Sequence, residues 1–483
     1  MQIQTPCSPV DRRALYAQAR LFIDEAIDRA EHADADLWEA EEATLDSTRK
    51  FQAMAAQGTV NAAMSQRISW YCPQCGWLLS YHDTQQKKVI TRAGEVDYAR
   101  GRYRCSQCEE DYLPADRLNG LEDTGYTLGA RMVVTGEAAG EAYAPTSEEV
   151  KPEIKISRRE VGGVVAEVAD WRKGEEEATL SGQLGECEEP GPMPSGEGVA
   201  LASTWKEKGL AEGTVCCAQL DGAKYRSCER GKDGKFDWRE ARVGTISLAQ
   251  EGKQLTREAA GGKSYVGHSA HVYCAERMVA LLAVVYATLP ALVRGLPLVF
   301  VADGGPWWEW VSVYFPHALQ ILDLYHAGKQ FTDVAALLFG EGSERTRQWR
   351  AHIREWLREP GRAKQLVGEL YRARPSVGED PEKRHELRKL IAYVREHEHR
   401  MRYKEYEDAG LPLGSGGVES AVDQVVSERL RERGRRWHPD NADRMVCLRT
   451  TVLSGELPAL FARRRQAALN AARPFLELLQ HAA

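Results

Sequence analysis

The chain reads as an α/β protein: one mixed sheet with helices on its faces, an all-helical region, an N-terminal helical region and a small zinc ribbon. Three observations predict this. Apolar strand patterns alternate with helical patterns through residues 213–338. An unbroken helical pattern follows over residues 340–408. Two tight cysteine pairs precede both. With 483 residues the chain exceeds one ordinary core, and two to four units are expected at about 100–200 residues each. Its 43% hydrophobic and 28% charged content fits a soluble globular protein.

Residues 1–69 form an acidic helical region. Leu15, Ala19, Phe22, Ile23, Ala26 and Ile27 recur at helical spacing, and no glycine interrupts from Asp11 until Gly58, so a helical hairpin is expected. Residues 70–115 form the cysteine module: Cys72-x2-Cys75 and, after 29 residues, Cys105-x2-Cys108. Each tight pair turns two thiolates toward one ion, and two pairs complete a tetrahedron. Pro73 and Gly76 suit such a turn. Four ligands leave no open position, so the expected Zn²⁺ is structural. Lys87, Lys88, Arg92, Arg100, Arg102 and Arg104, interleaved with Tyr98 and Tyr103, suit contact with a DNA backbone. A purely structural ribbon is the alternative. Cys7, Cys187, Cys216, Cys217, Cys228, Cys274 and Cys447 lack such spacing and read as ordinary thiols.

Residues 116–171 look mixed. Ser157 suits an N-cap, and Val161, Val164, Val165 and Val168 share one face of the helix it would start. That helix either reads DNA or simply packs. Residues 172–208 are rich in Gly, Glu, Pro and Ser and read as a linker. Residues 209–339 hold the first part of the core. Buried-type strands are expected at Thr214–Asp221, Pro297–Asp303 and Ala318–Asp323, with neighbours at Ala241–Gln250 and Ser264–His268. Helices are expected at Ala275–Leu289 and Tyr325–Phe339. In the all-helical region, residues 340–408, Trp349, Ile353, Trp356 and Leu357 form one apolar stripe, and Leu387, Leu390, Ile391 and Val394 another. Residues 409–483 return to the core through a glycine-rich turn, "PLGSGGVES", into a helix near Val418.

Carboxylates mark the expected site. Asp221 closes one apolar strand beside Gly222, and Asp303 closes another beside Gly304 and Gly305. An acid at a strand's carboxyl end, next to flexible glycines, sits where α/β sheets bind ligands. Either Asp alone also fits a turn or an N-cap. Glu419 follows Ser415, a candidate cap, and falls in a first helical turn, where it also suits the helix dipole. Together the three can hold two Mg²⁺ or Mn²⁺ ions about 4 Å apart.

A basic run follows on the same or the next helix. Arg429, Arg431, Arg433, Arg435 and Arg436 can line phosphates, and Trp437 can meet a base or the core. The chain's net charge is −7, but residues 341–483 carry +6, which leaves −13 on the rest. A local basic surface suffices for phosphate binding.

The segments "QLDGAKY", "WREARVG", "VADGGPWWEW", "ILDLYHAGKQF", "GSGGVES" and "RRWHPDNADRMVCLR" together resemble bacterial insertion-sequence DDE transposases of the ISKra group. The resemblance covers roughly residues 70–170 and 213–460. It implies an RNase H-like catalytic fold with a helical insertion, and it matches Asp221, Asp303 and Glu419 to the metal-binding acids. It also implies that Asp323 and His326 support the active site; a helix-start or packing role is the alternative for His326. The expected activity is transposition: cutting DNA at element ends and joining it to a target by a two-metal-ion mechanism. The alternatives are a nuclease that only hydrolyses and a domesticated zinc-dependent DNA-binding protein. Double-stranded DNA and further copies of the chain are the expected partners. The chain departs from its relatives at residues 172–208 and in "LDGAKY", where they often carry a small hydroxyl residue after the glycine. No secretory segment or membrane-length apolar run is visible, so a cytoplasmic, nucleoid-associated protein is expected.

Overall fold

The structure is a computed structural model that describes residues 11–31, 37–64, 69–150, 154–184, 205–206, 208–360 and 362–475. It divides into two compact units, residues 1–167 with 457–483, and residues 168–456. Among the described residues no single helix is long and apolar enough to cross a membrane.

The first unit opens with α1 (Arg12–Ala30) and α2 (Leu37–Met64), which pair as a hairpin. Leu15 sits where a side chain on Gly58 would be, so the two helices approach closely there. Ile23 and Ile27, expected on the packed stripe, are exposed. Next come β1 (Ser80–Thr91), β2 (Gly94–Arg104) and β3 (Asp111–Tyr112), a three-stranded antiparallel sheet. The long hairpin β1–β2 accounts for the 29 residues between the cysteine pairs. Within residues 116–150 the regular elements are helices, α3 (Pro114–Asn119), α4 (Leu128–Gly140) and α5 (Tyr143–Glu149), and the loop between α3 and α4 bridges to β1 through Tyr126 and Ile90. The helix Leu457–Ala472 packs on α3 and α4.

α6 (Arg158–Leu184) begins with a reciprocal cap: Glu160 N–H donates to the Ser157 hydroxyl, and Ser157 N–H donates to the Glu160 carboxylate. Val161, Val164, Val165 and Val168 are all buried, so this face packs and cannot read DNA. The helix also overruns the expected linker. Arg172, Glu176 and Leu180 are buried, because distant residues neutralise the charges. Residues 185–204 and 207 of the linker lie outside the described residues, and Trp205 near its end is buried and donates to the Ser264 hydroxyl at 2.8 Å.

The second unit is built on β4 (Val215–Arg230), β5 (Phe236–Gln250), β6 (Lys253–Gln254), β7 (Ser264–Ser269), β8 (Leu298–Ala302) and β9 (Leu319–Leu322). β4 is central. It runs antiparallel to β5 on one side and parallel to β8 on the other, and β9 continues parallel beyond β8. The far edge of β5 carries β7 and, nearer its end, β6, both antiparallel. The first half of β4 is buried on both faces, as a central strand of a covered sheet must be. Its second half alternates buried and exposed residues from Ala223 onward, as an arm with one wet face.

Between the strands lie the short α7 (Arg257–Ala260), then α8 (Ala275–Ala287), α9 (Ala291–Arg294) and α10 (Trp308–Tyr314). Met278 through Val285 of α8 are all buried, which marks a helix enclosed on every side. After β9 follow α11 (Leu324–Phe339), α12 (Glu344–Trp356), α13 (Ala363–Arg372), α14 (Pro381–His397) and α15 (Tyr403–Asp408). Of these, α12 to α15 form the helical insertion expected over residues 340–408, with Ile353, Leu357, Leu387, Leu390, Ile391 and Val394 joined to the sheet's core. α16 (Gly416–Val422) runs through one π-helical turn into α17 (Glu428–Leu430), and α18 (Pro439–Leu453) packs on β7.

A buried ion network ties α6, β7 and α18 together. Arg172 binds Glu176 at 2.9 Å and Glu456 at 2.7 Å. Glu176 meets His268 Nε2 at 2.8 Å, His268 Nδ1 meets Asp443 at 3.1 Å, and Asp443 meets Lys173 at 2.5 Å. Three cations face three carboxylates, so the set is neutral, which burial demands. Burial opposes the charge on His268, but the fields and hydrogen bonds of Glu176 and Asp443 outweigh it and push the imidazole up to about 9. Its folded value lies above its ordinary one, so its contribution is complete below about pH 6.5 and is lost as pH rises through about 9. Wild type is expected to lose roughly 2–3 kcal/mol of unfolding free energy through this group between pH 6 and pH 10. His268→Gln should lack that alkaline loss. Urea unfolding of both proteins at the two pH values checks it, and equal losses would refute the assignment.

Candidate active site

Strand register gathers the acids. Leu220 of β4 pairs with Ala302 of β8, and Ala302 pairs with Leu322 of β9. The next residue on each parallel strand is an aspartate: Asp221, Asp303 and Asp323. Three carboxylates therefore form one row across the sheet. Asp303 and Asp323 lie just past their strand ends. Asp221 does not, contrary to the expectation, because β4 continues as the one-faced arm to Arg230. Gly222 is a strand residue paired with Arg242.

Nor do the glycines beside Asp303 supply flexibility. A side chain on Gly304 would strike the ring of Tyr393, and one on Gly305 would strike Trp307 and Asp303 itself. They allow aromatic rings to press on the loop. Asp303 Oδ1 accepts from Gly305 N–H and Trp307 Nε1, both at 2.8 Å, and its carbonyl accepts from Trp308 Nε1 at 2.8 Å. Arg242 lies over the Trp307 ring at 5.3 Å. The carboxylate is thus held in one orientation through Oδ1.

Asp323 has a different task. It is fully buried and caps α11 by accepting from His326 N–H at 2.7 Å. Its second oxygen accepts from Ser415 N–H. Ser415 stands at the N-cap position of α16 yet makes no side-chain cap; its hydroxyl donates to Glu419 at 3.2 Å. Gln219, buried two residues before Asp221, donates to Gly414 C=O at 3.0 Å and accepts from Gln254 at 2.7 Å. A side chain on Gly417 would collide with Gln254. Asp323 and Gln219 together pin the Gly414–Gly417 turn to the sheet, and that turn brings Glu419 to the Asp323 end of the row. Sequence reasoning passed over Gln219; the signal was strand alternation, which puts it on the same face as Asp221.

Asp323, His326 and Glu419 bring ligand-type atoms within 4.8 Å of one another. Burial, with the charges of Asp303 and Glu419, pushes Asp221 up to about 6. His326 is pushed up to about 9, chiefly by the Asp323 carboxylate 3.6 Å from its Nδ1 and then by the fields of Asp221 and Asp303. Its imidazolium is one positive charge beside four carboxylates. Oxygen donors with surplus negative charge suit a hard divalent cation.

The basic run is placed differently from the expectation. Helix ends at Leu430, and residues 431–436 are turns and irregular chain. Trp437 then bridges to Ser227, and Arg431 Nε donates to Lys224 C=O, so the segment lies along the β4 arm. Arg429 is buried under the Trp437 ring, 5.1 Å away, which removes it from any phosphate surface. Arg435 pairs with Glu432 at 2.7 Å, and Arg436 covers the Phe236 ring at 3.6 Å. Arg433 is exposed.

In the first unit the four cysteine sulfurs also lie within 4.8 Å of one another. Cys72 and Cys108 are 3.8 Å apart, and Cys75 and Cys105 are 3.5 Å apart. A tetrahedral ion bound at about 2.3 Å requires sulfurs about 3.8 Å apart. The two knuckles repeat one another: Gly76 N–H donates to Cys72 C=O, as Glu109 N–H does to Cys105 C=O. Gly76 and Glu109 both take the left-handed backbone, at φ 71° and 58°. The cluster can bind zinc. Of the basic residues nearby, Lys87 and Arg100 pair with buried Asp116, Arg102 with Asp83, and Lys88 with Glu95. Those pairings favour a structural ribbon over a DNA contact. Compared with known proteins, the chain matches no family model and no curated sequence.

Proposed function

We propose that this chain is a DNA transposase of RNase H-like fold, with Asp221, Asp303 and Glu419 as ligands for two Mg²⁺ or Mn²⁺ ions and Zn²⁺ held by Cys72, Cys75, Cys105 and Cys108. The observation that carries the reading is the row of carboxylates on three parallel strands, completed by Glu419. The sheet, with β5 antiparallel to β4 on one side and carrying β6 and β7 antiparallel to itself, and with β8 and β9 parallel on the other, supports the fold. Bound ions would activate a water or 3′-hydroxyl and stabilise the leaving oxygen of a phosphodiester. The protein's share is positional. Trp307 and Gly305 fix Asp303, while Asp323 and Gln219 fix the turn that carries Glu419. His326 adds a positive charge that limits repulsion among the acids. Arg433 and Arg436 stand on the β4 arm, available to a DNA backbone.

The test is incubation of end-labelled DNA carrying the gene's own flanks with Mg²⁺, Mn²⁺ or EDTA. Metal-dependent cut and joined products are expected. Cut products alone would make the chain a hydrolytic nuclease. Binding without cutting in either metal would leave a DNA-binding protein and overturn the enzymatic reading.

A further inference from the structure

Beside the carboxylate row, α11 and α12 enclose a cavity of ≈ 470 Å³. Phe331, Ile353 and Leu357 are buried in its apolar floor. Lys329, Arg350, Arg354 and Arg358 line it, and no carboxylate does. All four cations are exposed. Arg350, Arg354 and Arg358 repeat every four residues, so they fall on one side of α12 and its C-terminal turn. Charged faces elsewhere on the insertion are laced with short-range ion pairs: Arg347 with Glu344, Arg362 with Glu359, Arg372 with Glu369. Among the described residues the four groove cations have no such partner. A merely solvated face would not segregate its charges this way.

At the mouth stands Tyr325, 71% exposed. Its ring occupies the space a side chain on Gly414 would take. Gly414 precedes Ser415, which links Asp323 to Glu419. One aromatic ring thus belongs to both the groove and the site. An aromatic face beside unpaired cations suits a nucleic-acid strand: cations meet phosphates, and the ring meets a base.

We propose that this groove holds the backbone of the DNA strand running to the carboxylate site, with Tyr325 stacking on an unpaired base. The inference rests on the DNA-processing reading above and names the path of the strand. The test is fluorescence anisotropy of the full chain with a labelled duplex bearing a single-stranded extension, in EDTA, over a salt series. Removing Arg350, Arg354 and Arg358 together (each to Ala) should reduce the slope of log affinity against log salt by about 2, at about 0.7–0.9 per lost phosphate contact. Affinity at about 0.1 M salt should fall at least about tenfold. Tyr325→Ala should weaken binding about five- to hundredfold, and less so for a fully paired duplex. Arg347→Ala with Arg372→Ala, a double control that is also exposed but has paired side chains, should change the slope little. An unchanged slope in the triple variant, with wild type binding normally, overturns the groove and leaves the DNA reading standing. A wild type without salt-dependent binding overturns both.

Discussion

Asp221→Asn is expected to stabilise the metal-free protein by about 2 kcal/mol at pH 7.5 while abolishing divalent-ion-dependent DNA cleavage. The two effects share one cause. Asp221 is mostly buried, and with Asp303 and Glu419 it forms a crowd of like charges, which pushes its carboxyl up to about 6. A folded value above the ordinary one means that ionisation costs stability. The cost is complete above about pH 6 and vanishes below about pH 4. The amide carries no such cost and is nearly isosteric. Urea unfolding in EDTA should show the gain at pH 7.5 and its disappearance near pH 4. Millimolar Mg²⁺ should raise the midpoint of wild type and leave the variant's unchanged, since ligands stabilise only the state that binds them. A variant less stable than wild type at pH 7.5 would mean that Asp221 is a structural acid, not a ligand awaiting its ion.

Cys105→Ser should lower the zinc content from one ion per chain to none and unfold residues 70–112 locally. Cys105 is fully buried, and its cluster has few other apolar members: Trp70, Cys72, Leu79 and Tyr103. So small a core holds its shape only with help. Structural zinc supplies roughly 10–16 kcal/mol of binding free energy in comparable sites. Metal analysis and limited proteolysis check this, with new cuts expected in the β1–β2 hairpin. The sheet of the second unit has a separate core and should resist. Cys228→Ser, an exposed thiol outside the cluster, is the control and should keep its zinc. Retention of one zinc by Cys105→Ser would refute the four-cysteine site.

Much of the site could be read locally. "QLDG", "VADGG" and "ILDL" each put an acid directly after an apolar run, and three parallel strands in register turn those local patterns into one row. The part Asp323 plays is not legible, because sequence shows its place after a strand but not the Ser415 amide it accepts from, 92 residues away. The end of β4 was misjudged for a plain reason. Gly222 looks like punctuation, while the alternation of "AKYRSCER" beyond it was the stronger strand signal. The length of α6 was hidden differently. Its Arg172 and Glu176 look like solvated linker charges until His268 and Glu456 arrive from elsewhere to neutralise them. Likewise the basic run after Leu430 has helical composition, but Gly434 takes φ 80° and Trp437 pairs with the β4 arm. Long-range partners decided each case, and no local window contains them.

The central claim is that the aligned carboxylates hold the ions that cut DNA. It is tested most directly by comparing wild type with Asp303→Asn on one labelled DNA in Mg²⁺ or Mn²⁺. The substituted side chain keeps an oxygen for Gly305 N–H and Trp307 Nε1, so the loop and DNA binding should survive. The loss of several kcal/mol of transition-state stabilisation should slow cleavage by about a thousandfold or more. Equal cleavage by the two proteins would place the chemistry elsewhere and contradict the account.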